Sequence, residues 1–484
     1  MNKYLHSANE EQTLTRAPYA LLVMAALALL VSGCAVGPTY QRPATPEVSA
    51  FKEAGEWIPA VPADALERGP WWTLFGDPVL DQLASRVEVS NQNVAIAVGA
   101  YAQARAVVRE QRASLLPSVS LDGGASRAGS SGNSATGAGG RTGNNYQVSL
   151  GASWEPDVWG RLGRVVDSAS AGAQASAADL ASAKLSAQGE LAVNYFSLRQ
   201  TDAQNALLES TIAGYARALE IAQNRYNAGI VARTDVLQAQ SQLASSKADQ
   251  AGLQRTRAQF EHAIAVLVGD APGNFSLRPL AAWTPFVPPV PVGVPSTLLQ
   301  RRPDIAAAER RAASANEQIG IAKTAYYPNI SLNASVGSSA SRVADLFRAS
   351  SGIWSLGLSA AQLLFDAGAT GARVDSAQAA QAQAVARYRQ TVLAAFRDVE
   401  DQLSATRVLQ IQQELRRQAS AAADLVEQQV LNRYRSGQVG YTEVITAQTT
   451  ALSARRALVQ ATADRQTTAV ALIQSLGGGW QTGS

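Results

Sequence analysis

The chain has 484 residues, 46% hydrophobic and 16% charged, with 41 basic against 38 acidic residues and a formal net charge of +3. That balance, with no run of like charges, excludes a nucleic-acid binder, which would carry a basic patch or stripe. One cysteine and two histidines exclude a disulfide framework and a His/Cys metal cluster.

At the N-terminus, Arg16 precedes APYALLVMAALALLVSGC, an apolar run the length of a signal-peptide core and too short to span a bilayer as a helix. The run stops at Val31-Ser32-Gly33-Cys34, small residues before the only cysteine. This resembles a bacterial lipoprotein signal, in which Cys34 becomes the acylated first residue of the mature chain, carrying fatty acids such as palmitate. Ala35 in place of Asp then implies sorting to the outer membrane.

Downstream, the chain repeats itself. LLPSVSL (115–121) pairs with YYPNISL (326–332), VVDSASAGAQA (165–175) with RVDSAQAAQAQ (373–383), and RYNAGIVARTDVLQAQ (225–240) with RYRSGQVGYTEVITAQ (433–448). Each copy reads as helix, strand, strand, long helix, turn, helix. The spacing predicts helices over 93–116 and 304–327, ended by Pro117 and Pro328, because proline disfavours helix at its own position and the one before.

Four alternating segments follow the two prolines. NISLNASVGS (329–338) puts Ile330, Leu332, Ala334 and Val336 on one face and Asn329, Ser331, Asn333 and Ser335 on the other. QVSLGASWE (147–155) and WSLGLSA (354–360) alternate likewise, and a strand from Ser118 is expected to fade at Gly123-Gly124. Such alternation fits a half-buried soluble strand or a membrane-barrel strand with a small, uncharged lumen face. Residues 123–145 and 338–353 are expected to be surface loops. Trp154 and Trp354 are candidates for an aromatic girdle.

Long helices are expected over 163–227 and 371–435, each about 100 Å long. A coiled-coil seam is predicted through Val392, Phe396, Val399 and Leu403, then, after a stutter, Ile411, Leu415, Ala419, Ala422, Val426 and Val430. Arg225 and Arg433 suit the negative ends of these helices, Gly229 and Gly437 the left-handed residue that closes them. Thr234 and Thr442 are expected to cap the returning helices, with Asp235 and Glu443 in their first turns. The Pro-rich segment at 270–303 joins the copies, and Trp71, Trp72 and Trp480 are expected to pack against the termini and this linker.

Taken together, CAVGPTYQRP, WWTLFGDPVLDQL (71–83), VPVGVPSTLLQRRPDIAAAE (290–309), both RYxxG turns and SLGGGW (475–480) resemble a TolC-like outer-membrane factor of the lipidated NodT/OprM type. The resemblance covers essentially the whole chain after the signal. It implies a mainly α protein with a membrane β-barrel, in which two structural repeats give four strands per chain to a trimeric 12-stranded barrel on a long α-helical periplasmic tube. Four strands are too few to close a membrane barrel alone, and three chains supply twelve. The implied division is a signal peptide (1–33), a lipid-anchored segment with an equatorial helix (34–92), repeat 1 (93–269), the linker (270–303), repeat 2 (304–476) and a tail (477–484).

The same resemblance implies a homotrimer with a periplasmic adaptor and an inner-membrane transporter as partners, no cofactor, and location in the outer membrane. It makes the turns at Arg225, Tyr226, Gly229, Arg433 and Gly437 adaptor contacts, and Asp235, Glu443 and Tyr434 candidates for a periplasmic gate. A second acidic gate position falls on Thr446 and a gate arginine on Val439, so those two features are missing here. Each gate candidate also has a plainer reading: the acids serve the helix dipole and Tyr434 packs between helices.

Three other functions fit the sequence less well. An enzyme finds no support, since after Cys34 the chain has one histidine, His262, and neither a nucleophile elbow nor a phosphate loop. A periplasmic scaffold lipoprotein would leave the four strands unexplained. A duct for type I protein secretion shares the architecture, whereas the lipidated type with RRPDI and LGGGW more resembles drug and solvent efflux.

Overall fold

The computed structural model describes residues 36–45, 50–54, 70–129, 142–280, 282–290 and 301–478. Cys34, Trp480, the signal peptide, most of the loop before residue 142 and residues 291–300 of the linker lie outside the described residues. The elements are α1 (Pro78–Ser90), α2 (Gln92–Ala113), β1 (Ser118–Gly129), β2 (Thr142–Trp154), α3 (Arg161–Asn227), α4 (Arg233–Leu267), α5 (Pro303–Thr324), β3 (Asn329–Ala340), β4 (Gly352–Ala361), α6 (Ala369–Arg435) and α7 (Tyr441–Ser475). The twins match in length: α2 and α5 have 22 residues each, α3 and α6 have 67, α4 and α7 have 35.

Two compact units are formed, and neither follows the sequence repeat. The first joins Ala102–Ala175 to Ala308–Arg387 with the described part of Met1–Pro43; the second joins Ala44–Tyr101, Ser176–Ala307 and Tyr388–Ser484.

In the first unit the four strands form one antiparallel sheet in the order β1-β2-β3-β4. The register keeps like faces together. Leu121 pairs with Leu150, Leu150 with Val336, and Val336 with Trp354, while Ser153 pairs with Asn333 and Ser331 with Ser359. A one-residue slip would exchange the faces, so the alternation fixes the pairing. On the polar face serine hydroxyls bridge strands, as Ser331 to Ser359 at 2.7 Å and Ser335 to Ser355 at 2.8 Å. The apolar face is open: Leu121 is 74% exposed, Leu358 72% and Trp354 80%. Trp154 donates from Nε1 to the Leu115 carbonyl at 3.0 Å.

Several expectations are corrected. β1 runs through Gly123 and Gly124 to Gly129, because pairing with Val148 and Gln147 satisfies a backbone that side chains there cannot stabilise. β3 continues to Ala340 and β4 starts at Gly352, leaving a shorter loop that holds two 3-10 turns. α2 and α5 end at Ala113 and Thr324, short of the prolines, and the last residues tighten into i→i+3 bonds such as Tyr327 N–H to the Thr324 carbonyl at 3.0 Å. The seam on α6 holds for Val392, Phe396, Val399 and Leu403, which are buried. It does not extend to Ile411, Leu415 and Val426, each more than half exposed, since none of the described residues covers that face.

In the second unit, Trp71 and Trp72 are buried, Trp71 donating to Gln188 Oε1 on α3 at 3.2 Å. Phe75 packs on Phe196 with ring centroids 4.9 Å apart. The linker is held by charge. Asp202, its side chain 1% exposed, takes Arg257 at 2.7 Å and Arg199 at 3.1 Å, together with the Leu280 amide at 3.1 Å. Arg257 donates to the Leu277 carbonyl at 2.6 Å, and Glu261 accepts the Leu277 amide at 2.6 Å. A buried carboxylate is tolerated here because each oxygen has a partner.

No helix among the described residues is long and apolar enough to cross a membrane.

Asp202→Ala would remove the carboxylate partner of the buried Arg199 and one of the two of Arg257, and is expected to cost about 3–5 kcal/mol. Asp249→Ala, which breaks a half-exposed pair with Arg456 at 3.4 Å, should cost about 0–1 kcal/mol. Thermal unfolding of the two purified variants, side by side, reads the difference.

Candidate functional site

The repeated turns are built the same way twice. α3 closes with Gly229 at φ 73°, α6 with Gly437 at φ 77°. The Ile230 amide donates to the Arg225 carbonyl and Gly229 to Tyr226, both at 2.9 Å; Gln438 donates to Arg433 at 2.9 Å and Gly437 to Tyr434 at 3.0 Å. This paired pattern is a Schellman closure, which needs a left-handed residue and therefore favours glycine. The returning helices are not capped as expected. They begin at Arg233 and Tyr441, behind Ala232 and Gly440, and neither has a side-chain cap; Thr234 and Thr442 already lie inside the helices. Asp235 and Glu443 do stand in the first turns, where the positive helix end favours a carboxylate.

The two turns are not equivalent in their surroundings. Tyr434 is 5% exposed and sits in a cluster with Ala218, Ala222, Val236, Ala239, Tyr441 and Val444. Its twin, Tyr226, is 40% exposed. Arg225 links the copies: its guanidinium lies 4.9 Å from the Tyr434 ring centre and donates to the Tyr434 carbonyl at 3.3 Å. Arg433, the twin of Arg225, is exposed. Sequence reading placed both arginines at helix ends and missed this stack, because the repeat shows the residues but not which copy pairs with which.

Among the gate candidates, Tyr434 lies inside this cluster, while Asp235 and Glu443 each directly precede a member of it, Val236 and Val444. The Tyr434 and Tyr441 rings are 5.5 Å apart. Burial, with Tyr434, Tyr215 and Asp235 adding, pushes the Tyr441 hydroxyl up to about 12. Glu443 is exposed and lines a groove of about 360 Å³ with Val426, Val430, Thr446 and Thr450. Thr446 spends its hydroxyl on the Thr442 carbonyl at 2.9 Å, and Val439 packs against the tyrosine cluster. Among the described residues no group of His, Cys, Asp or Glu has the arrangement to hold a metal.

A family model described as outer membrane efflux protein matches residues 83–270 and 294–478. The chain belongs to the outer membrane efflux protein family. The probable efflux pump outer membrane protein TtgC of Pseudomonas putida strain KT2440 is 32% identical over 470 residues, covering 96% of this chain and 97% of that protein. The cation efflux system protein CusC of Escherichia coli O6:H1 is 29% identical over 456 residues, covering 94% of this chain and 98% of that protein. Among solved structures, the outer-membrane channel OprN superposes with a TM-score of 0.85 at 29% identity, covering 93% of this chain and 100% of that one.

Two predictions concern the turns. Gly437→Ala forces an alanine into the left-handed region and should lower stability by about 1–2 kcal/mol, read as a lower thermal midpoint. Tyr441, its folded value raised above the ordinary tyrosine value, contributes stability that is full below about pH 10 and lost as pH rises towards 12. Helicity followed by circular dichroism should fall in that window, and less steeply in Tyr441→Phe.

Proposed function

We propose that this protein is the outer-membrane exit duct of a tripartite efflux pump, a passive channel for small organic molecules. The two faces of the sheet carry the reading. One face carries the exposed apolar side chains of all four strands, as lipid requires; the other is lined mainly by serine, asparagine, glutamine and glycine, with the carboxylate of Asp122 among them, as a wet lumen requires. A homotrimer supplies the remaining strands, and Cys34 carries the lipid anchor. The turns at 225–229 and 433–437 are the surface for a periplasmic adaptor, which couples the duct to an inner-membrane transporter. The duct performs no chemistry, so energy and most of the selectivity come from that transporter.

The named cargoes of the relatives differ: toluene for one TtgC, cations for CusC. The present chain has two methionines, Met1 and Met24, both ahead of Cys34. A lumen without thioether or thiolate ligands offers a soft metal ion nothing to hold. This favours organic cargo.

Deleting the gene and restoring it tests the function. Accumulation of dyes, antibiotics and aromatic solvents should rise on deletion and return to the original level on restoration. No change for any compound, with expression verified, would remove small-molecule efflux and leave protein secretion, visible as proteins missing from the medium. A gate at Asp235 and Glu443 predicts higher single-channel conductance in the double alanine variant; unchanged current would reduce both acids to helix-end charges. Cys34→Ser should remove the acyl mass from the mature chain in mass spectrometry.

A further inference from the structure

The end of the sheet away from the helices carries a one-sided set of charges. β1 and β3 leave α2 and α5 and run to Gly129 and Ala340, so the far ends of both hairpins lie together. Between Gly123 and Trp154 the sequence holds two arginines and no acid; between Gly337 and Ala361 it holds Arg342, Arg348 and one acid, Asp345. The end next to the helices is charged too, but uses its charges inside the chain. Arg161 bonds Glu155 at 2.7 Å, Asp157 accepts the Leu162 amide at 2.9 Å, and Asp366 accepts the Thr370 amide at 2.6 Å. At the far end, Arg348 meets Asp345 at 3.1 Å with 69% of its side chain still exposed. Arg127 and Arg342 are exposed, with neither an ion pair nor a side-chain hydrogen bond among the described residues.

Alternation decides which way these groups face. Arg127 pairs with Asn144, six positions along from the pair of Leu121 with Leu150, and so stands on the apolar face. The opposite face at this level is uncharged: Ser126 pairs with Asn145, which accepts from the Ser339 hydroxyl at 2.8 Å. A cation serving cargo in the lumen would stand there. The loop between β3 and β4 turns the same way as Arg127. Ser338 follows Val336 on the apolar face, and its hydroxyl donates to the Leu346 carbonyl, with the Ser351 carbonyl 3.1 Å away. The Ser351 hydroxyl donates to the Asp345 carbonyl at 2.7 Å. The loop is thereby folded over the outer side of the sheet, with Leu346 buried and Phe347 84% exposed. Ala340 pairs with Tyr146 and Tyr146 with Ala125, so Arg342 and Arg127 each come two residues past the same row. Two strand spacings, about 10 Å, separate their strands.

Arginine on a lipid-facing strand is costly in mid-bilayer and nearly free at the membrane edge. At the edge its planar fork can take two oxygens of one phosphate. An exposed phenylalanine beside it favours the opposite medium, the acyl layer. Trp354, on the same face of β4, carries that apolar surface on towards the middle of the sheet. The ligand that satisfies both media at once joins phosphate to acyl chains.

We infer that this rim binds a phosphorylated, multiply acylated glycolipid of the outer leaflet. Arg127 and Arg342 take its phosphate oxygens, Arg348 adds its exposed charge, and Phe347 stands among its acyl chains. The inference rests on the reading of the apolar face as lipid-facing, given above, and adds to it the class of lipid.

Purified full-length protein in neutral detergent, titrated with diphosphorylated lipid A and followed by native mass spectrometry, tests it. The unmodified protein should hold lipid A adducts that dephosphorylated lipid A and phosphatidylethanolamine do not reproduce. Arg127→Gln with Arg342→Gln should weaken lipid A binding by about tenfold or more. Phe347→Ser should weaken it too, whereas Arg417→Gln, on α6 outside the sheet, should leave it as it was. Phosphatidylglycerol bound as tightly as lipid A would reduce the rim to a general anionic surface and overturn the assignment. Protection of the strands from protease in vesicles reports the membrane-embedded sheet independently. Protected strands, with lipid A binding unmoved by the double variant, overturn this site alone. Strands digested in the unmodified protein overturn the lipid-facing reading as well.

Discussion

A sheet with two open edges and an apolar outer face cannot be at rest in a bilayer. Each edge strand presents a row of amides and carbonyls, and hydrocarbon offers them no partner, at a cost of several kcal/mol per group. β1 and β4 are those edges. The outer-membrane location of the family therefore requires that other strands close the sheet, and the repeat supplies a self-complementary way to do it. A chain carrying one copy of the unit would need six subunits for the same ring; fusing two copies halves that number and frees the two kinds of seam to diverge.

Their divergence has a physical logic. The seam between the repeats inside one chain is formed once, at high effective concentration, and its ion pair between Arg164 and Glu317 is mostly buried. Such a pair demands good geometry to offset desolvation. On α6 the twins of Arg164 and Ser168 are Ala372 and Ser376, small and exposed. Small side chains let helices approach closely without committing either chain to a buried charge before it meets its partner.

Much of this was legible in the sequence, for identifiable reasons. Alternation of period two marked the strands because one face is apolar and the other is small and polar. The repeat marked the turns because glycine at positive φ cannot easily be replaced. The strand through Gly123 and Gly124 was underestimated, since its stability comes from β2 and local propensity is poor there. No side chain caps the helices that start at Arg233 and Tyr441, so the threonine signal falls two residues late in both copies. At the turns, Glu443 and Tyr434 look alike as candidates in sequence, yet one lines an open groove and the other is buried among tyrosine and alanine. Burial decides between such roles, and burial depends on which copy packs on which.

The network around Asp202 has a further consequence for how the chain is made. Its members on α3 and α4 and in the linker come from one uninterrupted stretch, so the hairpin of the first repeat can neutralise its buried charges without any residue of the second. A polypeptide threaded across the inner membrane from its N-terminus meets the periplasm in that order. The helical hairpin can therefore mature while the rest is still in transit, and β2 must wait for β3. The segments that wait carry serine, glycine and asparagine on every second position, which water solvates well, so only one face of each waiting strand is apolar.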